Sequence, residues 1–280
     1  MLKNFLKKHF LFLKLREQLS PAVQIAQLRQ LHYYQDCHRK GKIPSFDDTG
    51  FKVFSQFEED GKILFLFSII GMGNKTFVDL GSNDGINSNC ANLLVHFGWR
   101  GLFVDADKAV IERGTSFYRK HPNPWNYQPK FVASMITRSN VNSLVSRNGF
   151  SGEIELLSID IDSNDYWIWK EIGAISPKVV IIESQVAFGL QNVVVPYSES
   201  INTNVFQPYY GASTAALCEL GRSKGYRLVG SNQYGNNLFF LKSGIAETEF
   251  PEIPFESTLT HPWATEQFLS DAEMQKLNFA

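Results

Sequence analysis

The stretch Thr76-Phe-Val-Asp-Leu-Gly-Ser-Asn-Asp-Gly-Ile-Asn-Ser-Asn89 constrains the fold more than any other part of the chain. Phe77 and Val78 suit a strand buried on both faces, and Asp79 sits near its carboxyl end. Gly81 and Gly85 allow a tight backbone path that β-carbons would obstruct, so a ligand can lie against bare backbone. An apolar strand that runs into an acidic, glycine-spaced turn is how an α/β domain opens a nucleotide pocket. The spacing differs from the Gly-x-Gly-x-x-Gly of dinucleotide folds, whose middle glycine admits a pyrophosphate, and this disfavours a nicotinamide oxidoreductase.

Gly101-Leu-Phe-Val-Asp-Ala-Asp107 reads as the next strand. It ends in Asp105, 20 positions after Gly85, where a carboxylate in a βαβ unit can accept both ribose hydroxyls. Asp107 is placed to cap the following helix. Between the strands, Ser88 to Phe97 carries Ala91, Leu93, Leu94 and Phe97 at helical spacing and forms the crossover. An aspartate facing the pocket suits a cationic amine, and S-adenosylmethionine (SAM) has both an ammonium and a sulfonium. The expected cofactor contacts are Asp79, Gly81, Ser82, Asp84, Gly85, Asn87 and Asp105, with Ser134 from the third strand.

With 280 residues, 44% hydrophobic and 20% charged, the chain is long enough for one large core. A net charge of -1 gives no basic footprint, so no nucleic-acid partner is expected. Cys37, Cys90 and Cys218 lack metal spacing, and their odd number fits a reducing, cytoplasmic setting. Near the N-terminus, Leu2, Phe5, Leu6, Phe10 and Leu13 share a helical face among lysines, which makes peripheral membrane contact one reading. Packing of that helix on the domain or on a second subunit is the favoured one. Residues 1–50 are read as a helical appendage and linker, with a break at Ser20-Pro21, and 51–245 as the catalytic domain. Residues 246–280 are a tail that packs on it.

Ser55-Gln-Phe-Glu-Glu-Asp-Gly61 is expected to cap and open a helix, its acids favoured by the helix dipole. Further strands are expected at Lys130 to Met135, Glu155 to Asp160, Lys178 to Glu183, Tyr226 to Gly230 and Asn237 to Lys242. The last two are joined by Ser231-Asn-Gln-Tyr-Gly-Asn236, too short for a crossover helix, so they must pair antiparallel. The fold class is therefore a doubly wound α/β domain. Its seven-stranded sheet is mostly parallel and ends in an antiparallel hairpin.

A second constellation is Leu156-Leu-Ser-Ile-Asp-Ile-Asp-Ser-Asn-Asp-Tyr-Trp-Ile-Trp169, a strand that runs into three acids and then three aromatics. Ligands of open α/β sheets sit at such carboxyl ends, so Asp160 faces the site. Glu183 ends the neighbouring strand and converges with it. Asp160 and Glu183 are the candidate catalytic residues. Either they share a divalent cation, which would lower the pKa of a substrate hydroxyl, or one is a general base in a metal-free site. Asp162 and Asp165 are read as caps of the next helix, and Trp167 and Trp169 as sheet packing. The long segment from Ser184 to Tyr210 carries Phe188, Tyr197, Phe206, Tyr209 and Tyr210, which suit an aromatic acceptor wall, and Ser213 is placed to cap the helix after it.

From Phe54 to Lys242 the chain resembles the FkbM-like SAM-dependent methyltransferases of the branch associated with bacterial surface polysaccharides. The likeness is carried by Ser55-Gln56 with Glu59-Asp60-Gly61, Phe77 to Gly85, Gly98-Trp-Arg-Gly101, Leu157 to Trp167, Tyr210-Gly-Ala-Ser213 and Gly225-Tyr-Arg-Leu-Val-Gly230. It implies SAM as donor and O-methylation of a sugar or glycan hydroxyl. Ser163 stands where that family commonly has Gly. The Asp160 segment is also similar to the metal-site strand of catechol O-methyltransferases, which have a tyrosine six positions later, as Tyr166 is here. Those enzymes draw an asparagine from the next strand end, where this chain has Glu183-Ser184-Gln185. A non-catalytic module acting as a partner in glycan assembly is the alternative.

Overall fold

A computed structural model describes residues 15–120, 128–199 and 210–277. The strands are β1 (Thr76–Leu80), β2 (Arg100–Asp105), β3 (Lys130–Ala133), β4 (Gly152–Ile159), β5 (Ile175–Glu183), β6 (Tyr226–Ser231) and β7 (Asn237–Lys242). They form one sheet in the order β3-β2-β1-β4-β5-β7-β6. β1 to β5 pair parallel, while β7 runs antiparallel to both β5 and β6. This is the mostly parallel seven-stranded sheet with a closing hairpin that the sequence predicts.

Alternation along each strand divides the core into two layers. Phe77, Phe103, Leu156, Val179 and Phe239 face one side, with the helices Glu59–Ile70 and Ala91–Phe97. Val78, Val104, Leu157, Val180 and Phe240 face the other, with Val141–Arg147, Asp165–Glu171 and Thr214–Ser223. Trp169 is fully buried there against Phe240, as expected. Trp167 departs from expectation, because its indole N–H donates to the Val195 carbonyl at 2.8 Å and so packs on a loop.

The helix Pro21–Arg39 begins with a Ser20 side-chain cap. It lies on the first layer, where Tyr34 meets Phe65 edge-on at 4.9 Å and the amides of Gln27 and Asn92 bond reciprocally at 3.1 and 2.6 Å. The apolar face read from Leu2 to Leu13 lies outside the described residues. No described helix is long and apolar enough to cross a membrane.

Two helix starts differ from the sequence reading. The helix expected from Ser88 begins at Ala91, because the Ser88 hydroxyl is engaged by buried Asp79 at 2.5 Å and by the Cys90 amide at 3.0 Å. The helix expected after a Ser55 cap begins at Glu59. Glu59 and Asp60 occupy its first turn as expected, and both also hold partners outside the helix. Asp60 accepts the amides of Val53, Phe54 and Ser55 at 2.7, 2.6 and 2.9 Å, and Glu59 accepts Asn232 and Asn237 side chains at 3.0 and 2.8 Å.

Candidate active site

The carboxyl ends of β1, β2 and β4 open at one sheet edge, and the turn after β1 is built to fit between its neighbours. The amides of Gly81 and Ser82 both donate to the Val104 carbonyl, at 2.9 and 3.0 Å, while the Asp160 amide donates to Leu80 at 2.9 Å. Gly81 has φ +85°, and a β-carbon there would lie 1.6 Å from the Asp160 carbonyl oxygen. Only glycine lets the exits of β1 and β4 pass this closely.

Above this edge lies a cavity of about 640 Å³, within the size range of small-molecule sites. Of the residues expected to contact a cofactor, Gly81, Asn87, Asp105 and Ser134 line it, as do Asp160 and Glu183. Asp79 and Ser82 line a small recess that shares Gly81, Asn87 and Asp160 with the main cavity. Asp84 and Gly85 line neither. Asp84 is held by the Arg113 guanidinium at 2.7 Å, and a β-carbon at Gly85 would meet the Phe103 ring. The second glycine thus serves packing, with the Tyr118 hydroxyl donating to its carbonyl at 2.6 Å. Gln56, quoted above for the resemblance but not expected as a contact, also lines the cavity, on the loop that Asp60 clamps.

Asp105 accepts the Asn83 amide on one carboxylate oxygen and the Asp107 amide on the other, each at 2.8 Å. Each oxygen keeps a further lone pair for a ligand hydroxyl. Asp107 caps the next helix as expected, accepting the Ala109 amide at 2.7 Å. Burial pushes the Asp79 carboxyl up to about 7, against the hydrogen bond from Ser88.

On the other side, Asp160 and Glu183 leave adjacent parallel strands one residue beyond the Ile159–Ile182 pair. Asp162 joins them. Ligand oxygens of the three acids all lie within 4.8 Å of one another. Burial and then their neighbours' charges hold Asp160 and Glu183 well above the usual carboxylate range. Their closeness favours a proton held between them. Asp162, which the sequence casts as a cap, instead has a left-handed backbone (φ +58°) that turns the chain at the cavity rim. Asp165 does not cap the helix it starts; its buried carboxylate accepts the amides of Ile161 at 2.8 Å and Ser163 at 3.2 Å and fixes that turn.

Of the aromatic wall, Tyr197 and Tyr210 line the cavity, while Phe188 is buried in a short 3₁₀ turn (Val186–Phe188). Phe206 and Tyr209 lie outside the described residues. Ser213 caps the helix Thr214–Ser223 as expected, with its side chain accepting from Ala216 at 3.2 Å.

No protein-family model and no curated protein sequence matches the chain. Solved structures do resemble it. A SAM-dependent methyltransferase from Methanosarcina mazei aligns at 11% identity over 60% of this chain and 92% of its own, with a TM-score of 0.39. One from Clostridium acetobutylicum aligns at 8% identity over 78% and 99%, with a TM-score of 0.41. An O-methyltransferase family protein from Burkholderia thailandensis aligns at 13% identity over 66% and 59%, with a TM-score of 0.39. Likeness this distant carries no chemistry to the present chain; its fold rests on the strand order and pairing described above.

Proposed function

We propose that the chain is a SAM-dependent O-methyltransferase whose acceptor is a hydroxyl of a sugar or glycan precursor. The observation that carries this reading is one cavity edged by a ribose-competent carboxylate, Asp105, and by a protonatable acid pair, Asp160 and Glu183. Asp105 binds the nucleoside through its spare lone pairs, and Asp79 draws the amino end toward the recess behind Gly81. When bound, SAM supplies an electrophilic methyl group on a sulfonium, and the electrons of the breaking C–S bond stay on sulfur. An ionised carboxylate of the Asp160–Glu183 pair takes the hydroxyl proton as the acceptor oxygen forms its new bond to carbon. Holding the acceptor in line with the methyl group supplies much of the rate.

A divalent cation shared by Asp160, Asp162 and Glu183 is the second reading, favoured by three hard oxygen donors in one cluster. It would lower the hydroxyl pKa without a free base. The test is formation of S-adenosylhomocysteine from SAM with mixed cell-envelope glycans as acceptor. Turnover abolished in Glu183→Gln supports the acid pair, and turnover lost on chelation and restored by Mg²⁺ selects the cation. No turnover by folded, SAM-binding protein would leave a non-catalytic module.

A further inference from the structure

Glu183 and Tyr210 are walls of two cavities. Besides the large one, they border a recess of about 130 Å³ whose lining includes Ser184, Gln185, Val186, Asn236 and Trp263. Resting on the methyltransferase reading, we infer that this recess is the acceptor subsite and that the Trp263 indole is the platform on which a pyranose ring stacks. The donor and acceptor would then meet at Glu183, which borders both cavities.

Several features build the recess. Trp263 comes from the C-terminal tail, on the helix Pro262–Glu266, yet the tail is anchored beside Glu183. Ala264 and Leu259 are buried with Val186, and the Leu269 amide donates to Ala187 at 2.9 Å. Gly235 of the β6–β7 turn fits so tightly that a β-carbon there would lie 2.3 Å from the Thr258 carbonyl oxygen. Trp263 itself remains 41% exposed, with its ring edge-on to Tyr234 at 5.4 Å. The same recess is lined by amide side chains whose oxygens are already engaged. That of Gln185 accepts Ala187 at 3.3 Å, and that of Asn236 accepts Asn232 at 2.7 Å. Their NH₂ groups have no hydrogen-bond partner among the described residues and are left to donate.

A partly exposed indole lining one recess with polar amides matches a sugar. The axial C–H groups of a pyranose present a weakly positive apolar face to the negative ring face of indole, and its hydroxyls are left for the amides.

The experiment uses the full chain saturated with S-adenosylhomocysteine. Binding of methyl glucopyranoside, galactopyranoside, mannopyranoside and rhamnopyranoside is read by saturation-transfer NMR. Expected is saturable contact on one ring face in the wild type, at least tenfold weaker in Trp263→Ala and largely kept in Trp263→Phe, with S-adenosylhomocysteine affinity equal in all three. No pyranoside contact, equal contact in Trp263→Ala, or preference for p-cresol would overturn the subsite. Pyranoside contact in a folded wild type that fails to bind S-adenosylhomocysteine would instead remove the donor reading and leave the sugar site.

Discussion

Replacing Asp160 by Asn should abolish turnover and make the protein more stable at alkaline pH. In the folded chain Asp160 and Glu183 are raised to about 8 and about 10, whereas unfolded carboxyls titrate near 4. Folded pKa values above unfolded ones mean that the pair's contribution is fully present below about pH 4. It is lost as pH rises toward the folded values, by about 1.4 kcal/mol per pH unit for each retained proton. The substituted amide would carry no ionisable group and could donate an N–H to Glu183. Allowing for water in the cavity, we expect a gain of about 2 kcal/mol at pH 8, a Tm rise of a few degrees, and almost no gain at pH 4.5. Thermal unfolding of both proteins from pH 4.5 to 8.5 reads the difference, and the other buried acids cancel. A variant less stable than wild type at pH 8, or an offset independent of pH, would refute the reasoning. It would mean that the carboxylates are ionised and held by a counter-charge.

Asp105→Ala should weaken S-adenosylhomocysteine binding by about tenfold, near 1.4 kcal/mol, by removing the acceptor of the ribose hydroxyls. Isothermal calorimetry checks this, and lost activity with unchanged affinity would contradict the ribose role. Gly81→Ala should destabilise the fold by roughly 3 kcal/mol or more, since the new methyl would overlap the Asp160 carbonyl at a left-handed φ. A wild-type denaturant midpoint in that variant would show that the close passage of β1 and β4 is misjudged.

What the sequence discloses follows the range of the interactions involved. β1, the Asp105 strand end and the Asn237–Lys242 strand are legible because burial, alternation and a short hairpin loop act over a few residues. The meeting of Asp160 with Glu183 follows from adjacent parallel strands. Glu59 and Asp60 stand in the first helical turn as read, but local rules do not disclose the amide side-chain partners of Glu59, which lie 173 and 178 positions away. Asp162 reads as a cap because nothing local announces its left-handed turn toward the other acids. Gly85 looks like a ligand glycine, yet its neighbour is Phe103 of the next strand. Trp263 has no motif around it and gains its meaning only from where the tail docks.

Calorimetric titration of the folded full chain with S-adenosylhomocysteine tests the central claim most directly. A saturable one-to-one isotherm is expected, with stabilisation of about 2.7 kcal/mol when the ligand stands at one hundred times its Kd. Zero heat together with an unmoved melting curve would contradict it.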